Sequence, residues 1–440
     1  MKLTIIGAGS TYTPGLVLRW IETKRDRINF TEICLHDIDR DRLNIVGNFI
    51  NGMVPGVSVI CTTDIEEAIT GSAFIVLQIR VGLNAQRRTD EHICVEHGFI
   101  GQETTGPGGW ILALRQIPEG LKIAKLINTL APDAWLISVA NPAGILGEAL
   151  IKYGHPKTIS MCHGGFYPRK RLATALGVEE SRVLFDYIGL NHMSWASRIY
   201  LDGNLLPGDK MHDLAAEIYK EWSSNDISMP ASFGHEFPPI VSISHYMSYF
   251  YMQPEMVEKM HKTQKTRADA VLKIEEECLQ YYKEKAGKER VPPAVLADRG
   301  GSQERKAEGV YGAIGYSDGC LAIIDALLHQ DPQWIIVNVL NEGTISELPD
   351  DACVEIPAYV DCTGVNRVVM GKLPIEVRGM IQSVKAYETM TVEAAISGDR
   401  RMAFAALLSN PICKNEYTKI KELMEALLES NRKYLPQFFS

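Results

Sequence analysis

Lys2-Leu3-Thr4-Ile5-Ile6-Gly7-Ala8-Gly9-Ser10-Thr11-Tyr12-Thr13-Pro14 runs from a buried strand through a glycine turn into a helix, and its reading decides the fold. Glycines at Gly7 and Gly9 allow a tight turn and let backbone N–H groups approach a pyrophosphate. The helix N-terminus behind them adds partial positive charge. The third glycine of the usual pattern is replaced by Ser10-Thr11-Tyr12-Thr13. A second strand, Ile33 to Asp37, ends in an acid. An acid at that point accepts hydrogen bonds from ribose hydroxyls and repels a 2′-phosphate, which favours NAD over NADP. The separation of Gly7 from Asp37 is longer than the roughly 20 residues usual after such a turn, which suits a longer first crossover.

Outward from this unit the alternation continues. Helices are expected at 14–24, 40–53, 64–69 and 111–130, and strands at 57–62, 73–78 and 134–139. Strands alternating with helices predict a doubly wound parallel sheet, an α/β fold. From about Thr158 the pattern changes. Short strands are expected at 183–190 and 197–201, helical segments at 253–285 and 317–328, and strands of a second sheet at 334–340 and 353–361. The segment 375–435 reads as almost all helix.

At 440 residues the chain exceeds the roughly 250–300 residues at which a single core stops growing. We therefore expect a Rossmann domain over 1–157 and an α+β substrate and metal domain over 158–440, the layout of lactate and malate dehydrogenases. A net charge of -9 argues against nucleic acid or an acidic membrane as partner. The opening residues read as a strand rather than a signal peptide, and no uncharged run is long enough to span a bilayer. Nine cysteines without CxxC spacing point to a reducing, cytoplasmic setting.

Polar, glycine-rich loops follow several of the strands: Gln78–Gly82 leading to Gln102–Gly109, Asn141-Pro142-Ala143-Gly144, and Met161-Cys162-His163-Gly164-Gly165. A fourth, Gly189 to Trp195, closes a later strand. Sites of doubly wound sheets form at such strand ends. Cys162 and His192 both lie there, and a thiolate with an imidazole suits a divalent transition metal. On residue types alone a second reading stands beside it, in which Cys162 is a small buried apolar residue and His192 a satisfied loop histidine.

Taken together, Gly7–Pro14, Gly101–Gly109, Asn141–Gly144 and Gly189–Met193 resemble glycoside hydrolase family 4, nearest to its 6-phospho-β-glucosidase branch. The resemblance covers most of the chain in the right order. It implies a redox route to glycosidic cleavage. NAD takes hydride from C3 of the sugar, a base removes the C2 proton beside a divalent metal such as Mn2+, the C1 substituent is eliminated, water adds, and the steps reverse. It implies Gly7, Gly9, Ser10, Thr11, Asp37 and Arg40 as cofactor-binding residues and Cys162 and His192 as metal ligands. Tyr246 is the implied C2 base, with Tyr249 second. Asn141 is expected on sugar hydroxyls, Glu103 near the nicotinamide or metal-bound water, and Arg87 and Arg267 on a 6-phosphate.

Two stretches depart from that branch. Cys162-His163-Gly164-Gly165 stands where the branch resembles Cys-Asn-x-Pro. A Cys-His pair is similar to members that act on unphosphorylated α-glucosides, galactosides or uronides, and His163 could act as acid or base. Residues 302–315 look inserted. The leading expectation is a glycosidase acting on a 6-phospho-β-glucoside as a homodimer or homotetramer. A family 4 enzyme for an unphosphorylated α-glycoside or uronide comes next. An NAD-dependent 2-hydroxy acid dehydrogenase and a catalytically idle NAD-sensing protein are the further alternatives.

Overall fold

A computed structural model of the chain describes residues 1–223, 229–244, 246–290, 314–413 and 416–439. The expected insertion at 302–315 falls largely outside them. Among the described residues, no helix is long and apolar enough to cross a membrane.

Short apolar runs form the parallel strands β1 (Lys2–Ile6), β2 (Glu32–His36), β3 (Ser58–Thr62), β4 (Phe74–Leu77), β5 (Trp135–Ser138) and β6 (Thr158–Ser160). Their spatial order is β3-β2-β1-β4-β5-β6. This is the dinucleotide-binding order, with its switch point between β1 and β4. Residues such as Ile5, Ile33, Ile75 and Ile137 are fully buried, because helices cover both faces of a parallel sheet.

Two antiparallel strands, β7 (Val183–Leu190) and β8 (Met193–Leu201), form a hairpin joined by Asn191 and His192 alone. The strands β9 (Asn204–Leu205) and β10 (Val241–Ser242) complete this smaller sheet by pairing with β8. The strands β11 (Gln333–Leu340), β12 (Cys353–Asp361) and β13 (Gly364–Arg367) do not join it. They form an antiparallel meander that extends the first sheet to nine strands, through Asn338 opposite Ser160. This corrects the expected second sheet for 334–340 and 353–361. The free edge of β6 offered unpaired backbone groups, and β11 satisfies them.

The expected helix over 253–285 is two helices, Gln253–Thr263 and Arg267–Lys285. Gln264 ends the first in the left-handed region at φ +51. Thr266 and Asp269 then form a capping box that starts the second. The helix Leu83–Glu96, inside a stretch read only as a loop, had no expected counterpart.

The long helix Gly106–Leu130 starts about one and a half turns before the expected position. Gln102 Oε1 accepts from the N–H groups of Thr104 and Thr105 at 2.6 and 2.7 Å, curling the loop against this helix end. A Cβ at Gly108 would lie 2.2 Å from Gln102 O. Gly108→Ala should therefore push the loop away and destabilise the protein by on the order of 1–3 kcal/mol. A denaturant midpoint equal to the parent's would contradict that close approach.

Candidate active site

The carboxyl ends of β1, β4, β5 and β6 lie on one edge of the parallel sheet, so the loops after them meet. Gly7 has φ +87, and a Cβ there would sit 2.9 Å from the Gln78 carbonyl group. A Cβ at Gly9 would sit 2.8 Å from Asp37 Oδ2, which instead accepts from Gly9 N–H at 2.8 Å. Asp37 Oδ1 accepts from Asp39 N–H at 2.9 Å. The turn thus presents bare backbone beside an acid, a cradle that fits a dinucleotide. Ser10 Oγ stays within the turn, accepting from Tyr12 N–H. The Thr11 side chain is buried, and its carbonyl accepts from Tyr282 hydroxyl at 2.9 Å. Arg40 is exposed on the rim and donates to Thr63 Oγ1 at 2.7 Å. Sequence reading missed Arg42, whose guanidinium reaches Gly9 O at 3.2 Å.

Cys162 follows β6, and His192 sits in the β7–β8 turn at φ +63. Cys162 Sγ lies 3.4 Å from His192 Nε2. A metal about 2.3 Å from sulfur and about 2.0–2.1 Å from nitrogen, at a tetrahedral angle, needs that separation within a few tenths of an ångström. Among the described residues no group of three or more His, Cys, Asp and Glu could hold a metal. A two-residue ligand set leaves coordination positions open to substrate oxygens. His192 Nδ1 is buried without a hydrogen-bond partner.

Tyr246 stacks on His192 with ring centroids 3.9 Å apart and planes 11° from parallel. Tyr249 is 5.7 Å beyond Tyr246, in a small apolar cluster with Ile100, Met256 and Ile412. His163 Nδ1 is 3.9 Å from Cys162 Sγ, and its ring lies 5.0 Å from that of Tyr316. Tyr316 also approaches Tyr12, with ring centroids 5.7 Å apart. Nothing in the sequence singled out Tyr316, because only the fold brings the helix Ile314–Leu328 to this corner.

Glu103 binds Arg80, reaches Arg87 Nη1 at 3.1 Å, and accepts from Asn141 Nδ2 at 3.3 Å. Arg87 Nε also donates to Glu91 at 2.7 Å, and Glu91 accepts from Ala268 N–H at 2.9 Å. Arg267, first residue of its helix, thereby comes beside the Glu91 pair, and both arginines act on Tyr249. The structure therefore brings together Cys162, His192, Tyr246, His163, Glu103, Asn141 and Arg87, with Arg267 at the Tyr249 end. Asp37 and Arg40 lie at the other end of the crevice.

Burial dominates the electrostatics. It pushes the Cys162 thiol up to about 12, with Glu355 adding to the rise, and pushes His192 down to about 3. Tyr246 is driven well above its ordinary value by burial and then by Tyr249, Cys162 and Glu103, while Arg87 opposes. Without a cation the three groups are thus neutral near pH 7.

Glu355 had no expected role. Its buried carboxylate accepts from Tyr187 hydroxyl, from Asn191 Nδ2 at 2.6 Å and from Asn338 Nδ2 at 3.2 Å. A charged residue between Val354 and Ile356 in an apolar strand was the signal that could have marked it.

Comparison with known proteins gives consistent matches. Residues 2–178 match the family model for family 4 glycosyl hydrolase, and residues 187–413 match that for the family's C-terminal domain. A probable 6-phospho-beta-glucosidase of Bacillus subtilis is 34% identical, with 100% of this chain and 98% of the relative covered. The solved 6-phospho-beta glucosidase of Thermotoga maritima with manganese, NAD+ and glucose-6-phosphate superposes with a TM-score of 0.84 at 28% identity, covering 99% of both chains. A 6-phospho-alpha-glucosidase from gut microorganisms, in complex with NAD and Mn2+, gives a TM-score of 0.84 at 26% identity over 99% of both chains.

Two measurements check these electrostatics. Mn2+ binding at neutral pH should expel about one proton, since a protonated thiol must ionise to become a ligand. Buffer-dependent heats of titration read that proton, and Cys162→Ser should release none. His192, depressed in the fold, contributes stability that is complete above the unfolded histidine value of about 6.5 and is lost as pH falls from there toward 3. Denaturant midpoints between pH 7 and pH 4 should fall less steeply in His192→Asn, and an unchanged slope would contradict a buried neutral imidazole.

Proposed function

The chain belongs to family 4 of the glycosyl hydrolases, and from that membership we propose that it hydrolyses the glycosidic bond of a 6-phospho-β-glucoside with NAD and a divalent metal such as Mn2+. The observation that carries the reading is the approach of Cys162 Sγ to His192 Nε2 at 3.4 Å, with Tyr246 stacked on that imidazole. When bound, NAD supplies reversible hydride acceptance and the divalent ion supplies positive charge against vicinal sugar oxygens.

The chain's residues then divide the work. Gly7 and Gly9, without side chains, let the pyrophosphate approach the turn closely, with Ser10 and Thr11 completing it. Asp37 receives the ribose hydroxyls, and Arg40 stands on the rim. Cys162 and His192 hold the metal. Tyr246 accepts the proton from C2, its ring placed against the metal ligand and its phenolate favoured by Arg87. Tyr249 faces apolar neighbours and serves as packing. Glu103, held by Arg80 and Arg87, orients Asn141 toward the sugar hydroxyls. Arg87 and Arg267 flank the place for the 6-phosphate. His163, in the loop after the sulfur ligand, is positioned as the proton donor to the departing oxygen. In domain terms, residues 1–157 hold the dinucleotide and 158–440 supply the metal, base and acid. Nine cysteines without CxxC spacing support a reducing compartment, and we place the enzyme in the cytoplasm as a homodimer or homotetramer.

The test is p-nitrophenyl 6-phospho-β-D-glucoside with NAD+, Mn2+ and reductant. Release of p-nitrophenol should require both cofactors and leave no net NADH. The α anomer and the unphosphorylated glycosides should be cleaved more slowly. The reverse preference would favour the reading that Cys162-His163-Gly164-Gly165 suggests, an unphosphorylated α-glycoside or uronide. Tyr246→Phe should lower kcat by roughly 10²–10⁴-fold while Mn2+ still binds. No glycoside cleavage, with stoichiometric NADH from a free 2-hydroxy acid, would establish a dehydrogenase instead.

A further inference from the structure

A small cavity, with space for about one water-sized guest, lies behind the loops of the candidate site. Its walls include the chain neighbours of three site residues: Thr104 follows Glu103, Pro142 follows Asn141, and Asn191 precedes His192. Glu388, from the helix Ile375–Ser397, also lines it.

Two polar atoms of the wall residues are unmatched, and a third has only an ion pair. Thr104 Oγ1 and Asn191 Oδ1 are each buried with no hydrogen-bond partner, in residues only 6% and 7% exposed, and Glu388 Oε2, in a residue 5% exposed, is paired with Lys385 Nζ at 2.5 Å. The Asn191 amide cannot turn round, because Nδ2 already donates to Glu355 Oε2 at 2.6 Å. Its Oδ1 therefore remains an acceptor. Glu388 Oε2 is also an acceptor when ionised. An amide oxygen with no donor, beside a carboxylate whose ammonium is shared, calls for a donor or a cation in the enclosed space.

Charge decides between those guests. The buried neighbourhood holds three carboxylates, Glu148, Glu355 and Glu388, and one ammonium, Lys385. Lys385 is shared between Glu148, at 3.0 Å, and Glu388, at 2.5 Å. Glu148 is further satisfied by Cys353 N–H and Thr389 hydroxyl. Glu355 has its three donors. Glu388 has only the shared ammonium, at 2.5 Å. A water molecule would fill the space and leave the charge, whereas a cation answers both needs. The donors are all oxygen, from a carboxylate, an amide and a hydroxyl, which suits a hard cation and not the softer ion expected at Cys162.

We propose that this cavity binds a monovalent metal cation, Na+ or K+, which ties the loops carrying Glu103, Asn141 and His192 to the helix bearing Glu388. The site is distinct from the sulfur–imidazole pair and works by fixing the loops from behind.

The test uses the full chain, freed of divalent ions with EDTA and melted at constant ionic strength while NaCl or KCl replaces choline chloride. One of the two salts should raise the melting midpoint along a saturable curve. Glu388→Gln should abolish that rise, and Thr104→Val should shift half-saturation upward several-fold. Identical melting in all three salts would overturn the proposal in favour of water. So would a full response retained in both variants. Should Glu388→Gln fail to fold, Thr104→Val and the ²⁰⁵Tl resonance of Tl+ bound to the unaltered protein, displaceable by K+, decide the question. A tightly bound Tl+ signal with the Thr104→Val shift supports the site, and no bound Tl+ signal overturns it. The readout is thermal and free of divalent metal, so its failure leaves the glycosidase reading standing.

Discussion

One buried carboxylate organises the candidate site. Glu355 projects from β12 and draws in donors from β7, from the β7–β8 turn and from β11. It therefore joins the nine-stranded sheet to the smaller one at the point where both contribute to the site. Burying such a charge is expensive unless its lone pairs are filled. The three donors meet that requirement only if Asn191 stands in one place. The neighbouring His192 inherits that placement. A distant strand thus sets where an imidazole meets a sulfur atom.

The site's groups are held in protonation states unsuited to chemistry on their own. Thiol, imidazole and phenol are all neutral in the dry interior, for the same desolvation reason. A divalent ion reverses that preference for the sulfur, because its own charge becomes the largest local field. The arginines work on the opposite flank. Arg80 and Arg87 are already satisfied by Glu103, and Arg87 by Glu91 as well. An anionic substrate would have to share them, which makes its recognition a matter of exchange and not of filling an open pair.

Much of this was legible in the sequence. Buried apolar runs, strand-ending acids and glycine turns led to β1–β5 and to Asp37. The same reading pointed to Cys162, because polar loops after parallel strands converge by construction, and to His192, which comes instead from the turn of an antiparallel hairpin. The meander β11–β13 was placed in the wrong sheet, since alternation along a strand says nothing about which edge it will find. Tyr316 and Arg42 were invisible for a related reason. Each reaches the site only through a tertiary contact, with no local pattern to announce it. Glu355 left a trace, a lone acid in an apolar strand, whose meaning depended on three donors far away in the chain.

His192 occupies a left-handed backbone conformation in a two-residue turn. Asparagine, aspartate and histidine are the non-glycine residues most enriched in that region, although Gln264 and Glu342 of this chain also adopt it. Replacements at this position are therefore restricted by the backbone before any metal is considered. If Cys162 and His192 hold the metal as proposed, retuning for another ion is better attempted at Cys162, whose backbone is extended. The turn would then act as an evolutionary filter, with the main chain restricting which elements of the periodic table the protein can learn to hold.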